Sequence, residues 1–129
     1  MSPAEFRCLY ELLGLTPEWV AAHLDVSGDQ VMRWAAGDEP VPNNAADELS
    51  SLATMTAKLV HELAIAHQWG GSILTYRDDT EFQAVDPFGL TYPASWHRAV
   101  AARVADRCVG VEINYPAKRP APQTEDIEP

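Results

Sequence analysis

Apolar residues in the first 37 positions recur three or four residues apart, in short runs that start and stop at turn signals. Ser2, with proline next and glutamate three residues on, has the pattern of a helix N-terminal cap and predicts a helix over about residues 3–13. Thr16 begins a second helix in the same way, and Ser27 a third that ends at about Ala36, before Gly37. The pattern therefore predicts three short helices.

The longest periodic segment runs from Ala45 to about His67, and either Asn43 or Asn44 can cap it. Such a helix is on the order of 35 Å long at about 1.5 Å per residue. Its apolar stripe consists of Leu49, Leu52, Thr56, Leu59, Leu63 and Ala66. Two interpretations stay open: the stripe packs inside the chain as core, or part of it forms a dimer contact.

After Gly70-Gly71 the pattern changes to short strands and one helix. Residues 72–76 are β-branched and aromatic, and in 108–114 the residues Val109, Val111 and Ile113 fall on one side, so both segments are predicted strands. Asp79 or Thr80 could cap a short helix, and Pro93 begins a helix that carries Trp96, Val100 and Val104 on one face.

The predicted fold class is α+β, mainly helical: an N-terminal helix-turn-helix bundle plus a small C-terminal lobe with two short strands and a helix. The predicted divisions are residues 1–69 for the bundle with its long fourth helix and 70–115 for the lobe. Residues 116–129 contain no apolar period and several prolines, which predicts a disordered tail.

Charge is the compositional feature that bears most on function. The chain is 47% hydrophobic and 22% charged, as ordinary globular proteins are, but its formal net charge is −10. Residues 1–48 hold two Lys or Arg against nine Asp or Glu. Because nucleic-acid binding draws affinity from cations near phosphates, non-specific DNA binding should be weak. No window is apolar enough to span a membrane and no signal peptide is recognisable, which predicts a cytoplasmic protein with no membrane partner.

Motifs for catalysis or metal binding are missing from the sequence. His61 and His67 lie six residues apart, not at the four-residue spacing of helical zinc ligands. The sequence has no Gly-rich phosphate loop, no Gly-x-Ser-x-Gly and no Cys-x-x-Cys, and Cys8 and Cys108 are best interpreted as reduced structural thiols. We therefore predict a protein that is not an enzyme and needs neither a metal nor another cofactor.

The second and third predicted helices, joined by a short turn at Asp25-Val26, have the plan of a helix-turn-helix over about residues 17–36. The run from Leu15 to Leu24, followed by Ser27, Val31, Trp34, Gly37 and Pro42, resembles the Cro and phage-repressor class of proteins, often called Xre-like. Residues 73–76, 82–89 and 96–104 look like the C-terminal part of the two-part autorepressors of anti-CRISPR operons. In that group an Xre-like domain precedes a mixed dimerisation domain.

The resemblance implies DNA contacts from three places. The start of the third helix would read bases, and the N-termini of the second and fourth helices would face phosphates. Gln30 suits an adenine edge and Arg33 a guanine edge, whereas Asp29 can only accept, for example from cytosine N4. The residues implied are Thr16, Ser27, Gly28, Asp29, Gln30, Arg33, Asn43 and Asn44. Trp34 is predicted to belong to the core.

The chain departs from this class where phosphates would lie. Pro17 removes one backbone donor, and Glu18 places a carboxylate at the same helix start. Ala35 and Ala36 occupy positions that often hold polar phosphate contacts in the class.

A homodimer on a palindromic operator is predicted, because one helix-turn-helix makes few base contacts. Two short strands are also too few for a stable isolated sheet, and pairing across a two-fold axis would complete one. The candidate interface residues are Ile73, Tyr76, Phe88, Trp96, Val100 and Val111.

Two functions therefore stay open. In the first, the chain is a dimeric, sequence-specific DNA-binding transcriptional regulator, a repressor or autorepressor with its third helix in the major groove. In the second, the acidic scaffold has lost DNA binding and acts as a protein–protein adaptor or inhibitor that binds a basic protein partner.

Overall fold

The computed structural model describes residues 1–118, so residues 119–129 of the predicted tail lie outside the described residues. The elements follow the chain in this order: α1 (Pro3–Leu12), α2 (Pro17–Leu24), α3 (Gly28–Ala36), α4 (Asn43–Ala66), β1 (Gly71–Leu74), α5 (Asp79–Val85), a 3₁₀ turn (Pro87–Leu90), α6 (Ala94–Arg107) and β2 (Val111–Asn114). The predicted fold class, mainly helical α+β with a C-terminal strand lobe, is confirmed.

Side-chain caps start the three short N-terminal helices, as the sequence predicts. Ser2 and Glu5 form a reciprocal capping box, and the bond from the Ser2 backbone N–H holds the pKa of the Glu5 carboxyl below its usual value. Thr16 and Ser27 each accept a backbone N–H three residues on, at 3.1 Å. Gly37 ends α3 in the left-handed region, with φ 84°.

Two later caps differ from the prediction. Pro42, not Asn43 or Asn44, is the N-cap of α4, and no side chain caps this helix. The two asparagines are its first helical residues, so their own side chains lie past the capping position. In α5 the cap is Asp78, whose Oδ1 accepts the Glu81 N–H at 2.8 Å, rather than Asp79 or Thr80.

The apolar stripe of α4 is core over its first half. Leu49, Leu52 and Thr56 are buried, and the buried position after them is Val60, one residue past the predicted Leu59. Leu59 and Leu63 are partly buried and Ala66 is exposed. Of the two interpretations of the stripe, intramolecular core therefore describes Leu49 to Thr56.

The core runs across the predicted division at residues 69 and 70. Helix α6 packs along α4, and the Trp96 indole Nε1 donates to Thr56 Oγ1 at 3.0 Å in the interior. Ser95, also on α6, donates its hydroxyl to the Gly14 carbonyl between α1 and α2. The C-terminal part is therefore packed against the helical bundle through one continuous apolar core.

The two strands pair with each other in parallel, from Gly71 opposite Val111 to Leu74 opposite Asn114. Both are shorter than predicted. The prediction that Val109 belongs to the strand beside Val111 and Ile113 is wrong: it lies outside β2 and is 96% exposed, because Gly110 turns the chain with φ 82° before β2 begins.

Four of the six predicted interface residues lie in the chain's own core. Trp96 and Val100 are each 1% exposed, and Ile73 and Tyr76 are also buried. They contact other residues of the same chain, so they are corrected from interface to core positions. Phe88, 40% exposed, and the partly buried Val111 stay accessible.

Two further observations concern the cysteines and the ability of the helices to span a membrane. Cys8 and Cys108 are not linked to each other, in agreement with their interpretation as thiols. Among residues 1–118 no helix combines the length and apolarity needed to cross a bilayer.

Candidate nucleic-acid interface

Helices α2 and α3 form the predicted helix-turn-helix. Val20, Ala21 and Val31 are buried between them and the rest of the bundle, with Ala21 small enough for close crossing. The turn between the helices depends on Asp25, which ends α2 in the left-handed region with φ 57°. The Val26 N–H then donates back to the Ala21 carbonyl at 2.9 Å. These local bonds fix the angle at which α3 leaves α2.

One face of α3 is open to solvent and carries most of the predicted base contacts. Ser27, Asp29 and Arg33 are exposed, and Gly28 and Gln30 are partly exposed. Trp34 lies on the opposite face, 6% exposed, with its ring edge-on to Phe6, which confirms its assignment to the core.

The two strongest candidate base contacts, Gln30 and Arg33, are bonded to each other and to a third residue. Arg33 Nη2 donates to Gln30 Oε1 at 3.3 Å. Gln30 Nε2 donates to Glu39 Oε2 at 2.6 Å, and Arg33 Nε lies 3.3 Å from Glu39 Oε1. Glu39 comes from the loop between α3 and α4, so a loop residue bonds to both polar side chains of the helix.

The helix starts predicted to face phosphates are exposed. Thr16 borders an open cleft of about 270 Å³ that Met32 and Ala36 of α3 also line, which places the start of α2 beside α3. Asn43 and Asn44 are exposed in the first turn of α4, where no side chain caps the free backbone N–H groups. Uncapped N–H donors at a helix start are suited to an anion.

The electrostatics of this face oppose DNA. Both cations of residues 1–48 are paired with carboxylates: Arg7 Nε lies 3.5 Å from Glu11 Oε2, and Arg33 is held by Glu39. Glu18 and Asp29, in the first turns of α2 and α3, are also exposed. A phosphate approaching this surface would therefore meet carboxylates before it met an unpaired cation.

Two residues of this surface were not predicted from the sequence. Met32, 54% exposed, lies on the open face of α3 next to Thr16, where an apolar side chain can contact a thymine methyl. Glu39 follows Arg33 by six residues and Gly37, which ends the helix, by two. A carboxylate so soon after the end of a helix that carries an arginine was the sequence signal for their contact.

No cluster of three or more His, Cys, Asp or Glu side chains that could hold a metal ion occurs in residues 1–118. His97, half-buried on α6, has its Nδ1 2.8 Å from Thr75 Oγ1. Burial lowers the pKa of this imidazole, and the Asp86 carboxylate offsets part of the effect.

No protein-family model and no curated protein matches the sequence.

Proposed function

We propose that the chain is a dimeric, sequence-specific DNA-binding transcriptional regulator, a repressor or autorepressor of the Xre-like type. The observation that carries this proposal is the exposed face of α3, where Gln30 and Arg33 lie side by side next to a helix-turn-helix turn. In a helix-turn-helix the second helix of the motif, here α3, enters the major groove. Side chains there that can form two hydrogen bonds at once are suited to reading base edges. A regulator of this type would act in the cytoplasm, where it meets its operator.

Backbone positioning would come from helix starts. The exposed first turn of α4, with Asn43 and Asn44, and the start of α2 at Thr16 offer N–H, amide and hydroxyl donors to phosphates. Such contacts fix the register of a protein on the duplex without cations. They suit a chain with only two Lys or Arg in residues 1–48.

Dimerisation would use the C-terminal part of the chain. Trp69 and Val109, which lie just before the two strands, are 93% and 96% exposed, and Leu90 is 80% exposed. Large apolar side chains in contact with water are typical of interaction surfaces. The sheet beside them has two strands, fewer than an independently stable sheet needs. A second copy of the chain would cover these side chains and add strands to the sheet. It would also double the number of base contacts.

The adaptor function has its own supporting observation. Arg7 and Arg33 are both paired with carboxylates, while Glu18 and Asp29 stay exposed. An acidic helix-turn-helix face of this kind is complementary to a basic protein surface.

A selection of bound duplexes from DNA with a randomised central region, at low salt, distinguishes the two functions. The regulator should enrich a palindromic motif. Arg33→Ala should weaken binding to that motif by about 1–3 kcal/mol and relax its sequence, because a lost bidentate contact affects one base position. Arg7→Ala removes the other cation of the region and is the control: it should weaken binding less and leave the motif unchanged. Wild-type protein that enriches no motif would support the adaptor.

A further inference from the structure

Glu39 uses the same hydrogen-bonding groups of α3 that DNA would need. Gln30 can bind adenine bidentately only with its Oε1 and Nε2 both available. In the free chain Oε1 accepts from Arg33 and Nε2 donates to Glu39. Each end of the amide therefore already makes one of its two possible hydrogen bonds inside the protein.

The same holds for Arg33, whose Nε and Nη2 are engaged by Glu39 and Gln30. Glu39 divides its two oxygens between these side chains: Oε1 lies against Arg33 Nε, and Oε2 accepts from Gln30 Nε2. Guanine O6 and N7 are also acceptors, so Glu39 and a guanine edge compete for the same donors of Arg33.

The backbone places Glu39 there. Gly37 reverses the chain in the left-handed region, and the Asp38 N–H donates to the Arg33 carbonyl at 3.0 Å. This turn returns the loop along the last turn of α3. The contact is nevertheless easy to open, because the side chains of Arg33 and Glu39 are 45% and 46% exposed.

We propose that Glu39 is an internal competitor of DNA, which must leave Gln30 and Arg33 before α3 can read bases. This inference rests on the proposed function. Glu39 accepts from the Gln30 amide nitrogen and lies against the Arg33 guanidinium, so any DNA acceptor that binds these two donors, a base edge or a phosphate oxygen, must displace it. Glu39 therefore lowers the affinity of α3 for DNA.

The test compares Glu39→Ala with Asp38→Ala. Both substitutions remove one carboxylate from the same exposed loop, and within residues 1–118 the Asp38 side chain makes no hydrogen bond or ion pair. The probe is the duplex enriched from the randomised library by wild-type protein, or by Glu39→Ala if wild type enriches none. Glu39→Ala should bind it on the order of ten-fold more tightly than wild type, and Asp38→Ala only about two-fold.

A second comparison shows whether the tighter DNA binding of Glu39→Ala depends on the side chains of α3. In a Gln30→Ala/Arg33→Ala background, Glu39→Ala should gain no more than Asp38→Ala does. The proposal is overturned if the two loop variants bind equally tightly, if the gain survives in that background, or if Glu39→Ala weakens binding.

The outcomes separate this inference from the function it rests on. If wild type binds a specific sequence, and Glu39→Ala and Asp38→Ala bind it equally tightly, the proposal that Glu39 competes with DNA is wrong and the proposed regulator function stands. Sequence-specific binding that appears only in Glu39→Ala supports both. If neither protein enriches a motif, the regulator fails and the competitor fails with it.

Discussion

His97 is a residue whose surroundings disfavour its charge. Its ring lies 5.0 Å from that of Tyr76 and 5.1 Å from that of Phe82, measured between centroids. Thr75, which is buried, bonds its Nδ1. Desolvation lowers the pKa of His97 in the folded chain, and the Asp86 carboxylate opposes this only in part. The imidazole therefore stays neutral to a lower pH in the folded chain than in the unfolded chain.

This environment predicts a loss of stability in acid. The folded pKa of His97 lies below that of the unfolded chain, which is about 6.5, so the unfolded chain takes up the proton first as pH falls. The stabilisation is complete above that pH and is lost progressively below it. Urea unfolding at about pH 7.5 and 5.5 should show a larger decrease in the free energy of unfolding for wild type than for His97→Gln. Equal decreases would contradict the prediction.

For the candidate base contacts, the sequence predicted which helix face they occupy but not which residue they bind. Gln30 and Arg33 were predicted on the open face of α3 because helical spacing determines which residues share a face. Their contact with Glu39 was not predicted, since it depends on how Gly37 directs the loop. Helical periodicity determines the face of a residue, but a bond between helix and loop depends on the path of the backbone after the helix ends.

At the level of elements, Gly14 sets the distance between α1 and α6. Its φ is +69°, and a Cβ there would lie 2.3 Å from the Ser95 carbonyl oxygen. Contact this close leaves no room for any side chain without moving α6 away from the turn after α1.

Gly14→Ala should therefore lower the free energy of unfolding by about 2 kcal/mol or more, measured by urea denaturation. Gly28 offers the matched control, since it begins α3, has no positive φ, and a Cβ there would meet nothing within 4 Å. Gly28→Ala should leave stability unchanged or raise it by up to about 1 kcal/mol. Similar losses in both variants would show that Gly14 has no special role.

The caps of the first three helices, which depend on local signals, were predicted, whereas the caps of α4 and α5 and the features that depend on packing were not. Thr16, Ser27 and Gly37 end or begin helices through bonds to neighbours within a few residues, which the sequence displays. Val60 is buried in place of Leu59 on α4, a helix that packs along α6, which is distant in sequence. Trp96 was also placed wrongly, at an interface instead of in the core. An apolar helix face predicts that the face is covered, but not whether the same chain or a second copy covers it.

At the level of the whole molecule, the exposed apolar side chains predict self-association. Trp69 and Val109 lie on adjacent turns, because Gly70 approaches the backbone of Val109 and Gly110. Light scattering at micromolar concentration should give twice the chain mass of 14.2 kDa. Trp69→Ser/Val109→Ser should shift the equilibrium toward monomer while keeping the helical circular dichroism spectrum. A wild-type particle of single-chain mass would contradict the dimer.

The charge distribution of the molecule predicts how DNA binding responds to salt and to Glu18. With two Lys or Arg in residues 1–48, few counterions are released, so log K against log salt should have a slope of about −2 per subunit. Glu18→Gln removes a carboxylate at the start of α2 and should tighten binding to the selected duplex.

The control for this final prediction is Glu62→Gln, an equal change of charge near the far end of α4, about 28 Å along the helix from Asn43. Screening reduces its effect on bound phosphates, so it should change affinity less than Glu18→Gln does. Equal gains would assign the effect to net charge rather than to the position of Glu18. If the face instead binds a basic protein, Glu18→Gln should weaken capture of that partner and leave DNA binding without sequence preference.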